Sequence, residues 1–145
     1  DSLTICEINP NMMKLLKEKL SSNEDYLKHK DSISFFEGPF QEYRGGGKFD
    51  VIICSIPFTN LSLKEVVEIF DKLQEVSNSN TRITFFEYIG LRKLSKIVSM
   101  KERRERIEQV DRFFNELEAK YKKTAEHVWL NITPITVYTL SAFAA

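Results

Sequence analysis

The chain has 145 residues, enough for one domain, with 42% apolar content and 29% charged content, ordinary for a soluble globular fold. Lys plus Arg and Asp plus Glu both number 21, so the formal net charge is zero and argues against a binder driven by attraction to nucleic acid. No apolar run reaches the roughly 18 residues needed to span a bilayer, and the segment from Asp1 is strand-like rather than the basic start of a signal peptide.

In chain order, Leu3-Thr4-Ile5-Cys6 reads as a short apolar strand. Asn9-Pro10-Asn11 is a helix start, a capping residue followed by Pro in the first turn. Met12, Met13, Leu15, Leu16 and Leu20 then recur at helical spacing. Residues 21–31 are polar and read as a loop. Ile33 to Phe36 is a second strand, and Arg44-Gly45-Gly46-Gly47-Lys48 a turn. The near-continuous apolar run from Phe49 to Cys54 fits a central parallel strand covered on both faces.

Ser62 with Glu65 three residues on is a capping-box pattern, opening a helix whose inner stripe is Leu63, Val66, Val67, Phe70 and Leu73. Ser77-Asn78-Ser79-Asn80 is expected to end it, and Arg82 to Tyr88 is a β-branched and aromatic strand. Lys101 to Lys120 is a long amphipathic helix, and His127–Asn131 and Ile135–Ala142 are two strands split by Pro134. Strands alternating with helices imply an α/β, Rossmann-like fold: a mostly parallel, doubly wound sheet in one domain over 1–145, with an antiparallel C-terminal edge pair.

Three positions could carry chemistry. Glu7 follows the first strand, and ligands of doubly wound folds sit at the carboxyl ends of strands. An ionised carboxylate there can accept both hydrogen bonds of a ribose diol; a solvated acid favoured by the following helix dipole is the plainer alternative. Phe36-Glu37-Gly38-Pro39-Phe40 follows the next strand, where a polar side chain and a backbone amide can meet an adenine edge; an ordinary strand exit is the alternative. Ser55-Ile56-Pro57-Phe58 ends the third strand. Pro57 stiffens this loop, so that Phe58 is expected to face outward where a methyl-accepting amine could sit, unless the Pro is a simple strand stop.

Other features suggest less. Gly45 to Gly47 precede a strand rather than a helix, so they are no phosphate loop. Lys101-Glu102-Arg103-Arg104-Glu105-Arg106 carries four positive and two negative charges, a solvated helix face or a contact for anionic lipid or nucleic acid. Cys6 and Cys54 lie within apolar runs and read as buried free thiols, which fits a reducing, cytoplasmic setting. Two His and two separated Cys give no zinc spacing, and no metal is expected.

Leu3-Thr4-Ile5-Cys6-Glu7-Ile8-Asn9-Pro10 resembles the second strand, ribose-binding acid and helix start of class I S-adenosylmethionine-dependent methyltransferases. Phe36-Glu37-Gly38 resembles their adenine-contact position, and Asp50 to Phe58 their fourth-strand motif. Within that superfamily the chain is most similar to the bacterial phospholipid N-methyltransferases, relatives of rRNA adenine dimethylases. Ser55-Ile56-Pro57 with Asn60-Leu61 resembles that family's Gly-Leu-Pro motif, Phe85-Phe86-Glu87-Tyr88 its fifth strand, and Val128 to Tyr138 its terminal Asn-x-Pro-Pro-Ala-x-Val-Tyr stretch.

The resemblance implies methyl transfer from S-adenosylmethionine to an amine, a phospholipid head group or a small molecule, with RNA adenine less favoured. A non-catalytic, partner-binding domain is the rival from another class. The resemblance implies cofactor-binding roles for Glu7, Ile8, Glu37, Gly38 and Ser55. Ser55, Pro57, Phe58 and Tyr88 would stand at the acceptor, with Asn131 near them. Peripheral membrane contact is part of the same expectation. The superfamily's Gly-rich first strand-turn has no counterpart here. The expectation is therefore a first strand absent from between Leu3–Cys6 and Phe49–Cys54, supplied by preceding residues or by another copy in a homo-oligomer. The chain alone should then bind cofactor poorly and be inactive.

Overall fold

The computed structural model describes residues 1–88, 101–130 and 134–141. The chain divides into two compact units, Asp1–Gly46 and Gly47–Ala145.

The first unit is a β-α-β arrangement. Strand β1 (Leu3–Glu7) leads to helix α1 (Pro10–Ser21), whose first turn is capped by the Asn9 side chain accepting from the N–H groups of Asn11 and Met12. Of the expected stripe, Met13 is fully buried and Leu16 and Leu20 are half-buried, while Met12 and Leu15 are exposed. The polar stretch expected to be a loop contains a second helix, α2 (Glu24–His29). Asn23 accepts from the Tyr26 N–H at 2.8 Å, acids occupy the first turn and Lys28 and His29 the last, so capping and dipole terms hold a helix that has no apolar stripe. Strand β2 (Ile33–Glu37) pairs parallel with β1, Leu3 opposite Ile33 and Glu7 opposite Glu37. Both helices reach Phe35 of β2: Tyr26 stands 6.4 Å from its ring and the Lys17 ammonium lies over it at 5.3 Å.

The second unit is a four-stranded sheet in the order β3-β4-β6-β5 with two helices on one face. Strand β3 (Phe49–Cys54) is followed by a 3-10 turn at Phe58–Asn60 and helix α3 (Leu63–Glu75). The Ser62 and Glu65 capping box is present in full, as expected. Strand β4 (Ser77–Tyr88) pairs parallel with β3. Helix α4 (Lys101–Lys120) has the expected bounds and returns to β5 (Lys122–Val128), which pairs antiparallel with β6 (Ile135–Ser141). Strand β6 also pairs antiparallel with β4, so the C-terminal pair forms the antiparallel edge that the alternation of elements implies.

Four expectations are corrected. Strand β3 is an edge strand rather than a central one covered on both faces: Val51 is 62% and Ile53 81% exposed, because the helices of this unit cover only the alternate face that carries Cys54. Ser77 to Asn80 belong to β4 as an irregular start rather than a helix-ending loop. Between the pairs Phe49/Ser77 and Val51/Arg82, β3 advances two residues and β4 five. Strand β5 begins at Lys122, not His127, and ends at Val128. Its polar Lys-Lys-Thr-Ala-Glu opening conceals a strand but suits a solvated sheet edge. Asn131 and Ala142, at the ends of the two expected terminal strands, lie outside the described residues.

The fourth correction concerns the thiols. Cys54 is buried, but Cys6 is exposed. Burial pushes the Cys54 thiol up, with the Ile56 backbone hydrogen bond opposing that weakly. A buried thiol of raised pKa presents little thiolate. Partial desolvation pushes the Cys6 thiol up as well, so access separates the two, and Cys6 should be alkylated by iodoacetamide faster than Cys54, by on the order of 10-fold at neutral pH; peptide mapping of a time course checks this, and equal rates would contradict the burial of Cys54.

Candidate active site

In the first unit the register brings Glu7 and Glu37 side by side at the carboxyl ends of β1 and β2. The chain beyond each strand is tied to the other: the Gly38 N–H donates to the Glu7 carbonyl at 3.0 Å. The half-buried Glu7 carboxylate accepts from the Asn9 N–H through Oε1 at 2.7 Å. Its Oε2 has no partner among the described residues. Asn9 thus performs two tasks, capping α1 with its side chain and orienting Glu7 with its backbone. Sequence reasoning saw the first and missed the second, although the Glu-x-Asn-Pro spacing was the available signal. Ile8, between them, is exposed.

Gly38 has φ of +154°, a region that L side chains rarely adopt, and a Cβ there would stand 3.3 Å from Cζ of Phe36. The backbone exit after β2 is therefore fixed by glycine. Phe36 packs edge-on against Tyr43 at 5.4 Å, which steadies the same exit. An oriented carboxylate with one oxygen unpartnered among the described residues can accept hydrogen bonds from a hydroxyl-bearing ligand.

The second unit places Ser55, Ile56 and Pro57 just beyond β3, with Ser55 and Pro57 exposed. Phe58 differs from Ser55 and Pro57. It is 3% exposed and turned inward, its ring 5.4 Å from Phe70, 5.9 Å from Phe85 and 5.5 Å from Phe114. The expected outward aim is overturned, since the 3-10 turn at Phe58–Asn60 folds the chain back toward α3 and the apolar ring follows it into the core. Tyr88 ends β4 opposite Ile135, and Ile135 in turn lies opposite Val128, so the ends of β4 and β5 and the start of β6 form one rim. At that rim His127 Nδ1 is 3.0 Å from the buried Thr136 hydroxyl.

The four residues predicted at the cofactor's ribose and adenine, Glu7, Ile8, Glu37 and Gly38, are thus gathered in the first unit, and Ser55, Pro57 and Tyr88 belong to the second. A surface groove of the second unit, lined by Leu63, Val67, Gln109, Arg112, Phe113 and Glu116, lies between α3 and α4 and includes none of them. Among the described residues no cluster of three or more His, Cys, Asp or Glu is placed to hold a metal ion.

No protein-family model matches the chain, and no curated protein is matched by sequence. Solved structures do match. The glycopeptide N-methyltransferase MtfA in complex with S-adenosyl-L-homocysteine superposes with a TM-score of 0.68 at 7% identity, over 95% of this chain and 71% of that one. The chain has the class I methyltransferase fold. A putative O-methyltransferase from Klebsiella pneumoniae matches with a TM-score of 0.64 at 16% identity, over 97% of this chain and 62% of its own length. An rRNA methylase from Streptococcus thermophilus matches at 0.63 and 10% identity, over 97% and 73%. The α/β, Rossmann-like class expected from alternating elements is therefore the fold, and identity this low carries the likeness no further than fold.

Two substitutions check the geometry. Gly38→Ala should lower stability by about 1–3 kcal/mol through backbone strain. Phe58→Ala should cost about 3–5 kcal/mol, as expected for truncating a buried aromatic rather than an exposed site residue. Urea unfolding measures both, and a Phe58 variant of unchanged stability would return that ring to the surface.

Proposed function

We propose that the protein transfers a methyl group from S-adenosylmethionine to an amine acceptor, and that the acceptor is a phospholipid head group. The observation that carries the reading is the Glu7 carboxylate, held at one oxygen by the Asn9 N–H and without a partner at the other among the described residues, at the joined carboxyl ends of two parallel strands. One protein of this fold that matches the chain, MtfA, is described in complex with S-adenosyl-L-methionine, S-adenosyl-L-homocysteine and sinefungin. The resemblance of Ser55-Ile56-Pro57 and of Val128 to Tyr138 to the phospholipid N-methyltransferases supports the lipid acceptor.

In this reading Glu7 accepts the ribose hydroxyls, Ile8 flanks them, and Glu37 meets the adenine edge beside Gly38, whose own N–H is taken by the Glu7 carbonyl. When bound, the cofactor supplies a methyl carbon already activated by its sulfonium. The chain's own contribution is positioning: an amine nitrogen aligned with that carbon loses most of the entropic part of its barrier, with no metal or covalent intermediate required. Ser55 and Pro57 shape the acceptor mouth from the exposed turn after β3, and Tyr88 ends the neighbouring strand. Phe58 acts only through the core, holding that turn in place. Zero net charge gives little long-range attraction to RNA. The setting proposed is the cytoplasmic face of a membrane.

In the natural protein, Glu7→Ala should weaken S-adenosylmethionine binding by on the order of 10- to 100-fold, the loss of charge-assisted hydrogen bonds. Titration calorimetry checks this, and unchanged affinity would remove Glu7 from the site. Transfer of labelled methyl to vesicles containing an aminophospholipid tests the acceptor; label appearing in RNA instead would replace it.

A further inference from the structure

The groove between α3 and α4 holds none of the residues assigned to the proposed chemistry. Its floor is apolar. Leu63 and Val67 line it one turn apart on α3, and Phe113 lines it from α4, all three half-buried. Phe113 also packs edge-on against Phe70 at 5.4 Å, so the floor continues the core of the second unit outward. The wall on α4 is charged. Arg112 and Glu116 are exposed, flank Phe113, and have neither an ion pair nor a hydrogen bond among the described residues. They stand one turn apart with the cation on the N-terminal side, the weaker order for a pair within one helix.

These two charges belong to a longer row. Glu108, Arg112, Glu116 and Lys120 recur at every fourth residue of α4 and are all exposed. Such a row is one ridge of a helix surface. Its charges run minus, plus, minus, plus, and turned end for end they run plus, minus, plus, minus. An antiparallel copy of the ridge, centred between Arg112 and Glu116, therefore sets Glu108 against Lys120 and Arg112 against Glu116, and repeats both pairs in reverse. A parallel copy in the same register would set like against like. The ridge is neutral as a whole, so it offers no net attraction to a polyanion.

We infer that α4 and the groove beside it form a surface for a second copy of this chain, the two α4 helices crossing antiparallel about a two-fold axis near Arg112 and Glu116. A two-fold contact uses the same patch on both copies, which is the condition that the reversed charge row meets. Exposed ion pairs contribute little each, so the row chooses the partner and its direction. Covering Leu63, Val67 and Phe113 supplies the apolar part of the attraction. One helix layer on each side makes a contact at the small end of specific interfaces, and the dimer is expected to be weak and exchanging. The contact uses neither edge of the sheet, so it does not depend on a strand supplied by another copy. It also stands apart from which molecule receives the methyl group.

Sedimentation equilibrium over a range of concentrations should show monomer and dimer in exchange, with the dimer weakening as salt is added. Arg112→Glu should weaken the dimer by on the order of 10-fold or more, and Glu116→Arg by a similar factor, since each sets like charges face to face at two places. The exchange of both, Arg112→Glu with Glu116→Arg, makes every facing pair opposite again and should recover most of that loss. A recovery of this kind cannot come from a variant that merely fails to fold. Val67→Glu, which puts a charge on the apolar floor, should also weaken the dimer by on the order of 10-fold or more, with circular dichroism verifying its fold. A monomer at every concentration would overturn the inference. A dimer indifferent to the single reversals would place the contact elsewhere and overturn it too, and so would single losses that the double exchange leaves unrecovered.

Discussion

The ring of Phe58 is the point on which the second unit depends. It comes from the turn after β3, yet it touches Phe70 of α3, Phe85 of β4 and Phe114 of α4, so four successive elements meet at one side chain. Phe85 extends the cluster to Tyr138 of β6 at 5.3 Å, and Phe113 to Phe70 at 5.4 Å. Tilted and edge-on rings at these separations add specific attraction to the burial of large apolar area. The turn bearing Ser55 and Pro57 is therefore held from beneath by the core, while its polar residues stay outside.

The first unit reaches its local order by other means. It buries a single residue completely, Met13, and relies on side-chain caps at Asn9 and Asn23, on paired strands and on Phe35 between two helices. Glu7 is oriented by the same two-residue span that starts α1. A carboxylate oriented by its own backbone needs no partner from elsewhere in the fold to hold its direction.

Much of this was legible in the residues. Helices α1, α3 and α4 announced themselves through Asn-Pro, the Ser62 and Glu65 box and a long apolar stripe, all local signals. The carboxyl-end placement of Glu7 and of Glu37-Gly38 followed from strand periodicity alone. What escaped was of three kinds. Helix α2 has capping without a stripe, so periodicity had nothing to detect. Strand β5 is polar because it is an edge. The inward turn of Phe58 depends on rings at residues 70, 85 and 114, a convergence that only the tertiary fold creates. The exposure of Val51 and Ile53 likewise reflects which face of the sheet the helices cover, a fact about tertiary packing rather than about composition.

The irregular opening of β4 carries a consequence for how such chains can vary. Asn78 donates from its N–H to the Thr81 hydroxyl at 2.7 Å, Asn80 donates to the Asn78 side chain at 2.8 Å, and the fully buried Thr81 hydroxyl donates to the Phe49 carbonyl. The detour satisfies its own polar groups, so its length is not dictated by the ladder. In a regular strand, one residue gained or lost near α3 would move every later side chain to the opposite face. Here the slack sits at the base of the sheet, upstream of Arg82, and pairing from Val51 onward is set afresh. Insertions and deletions at Ser79 can be absorbed there without turning Ile83 and Phe85 out of the core, which makes this the place where chain length is free to drift while the opposite rim keeps its register.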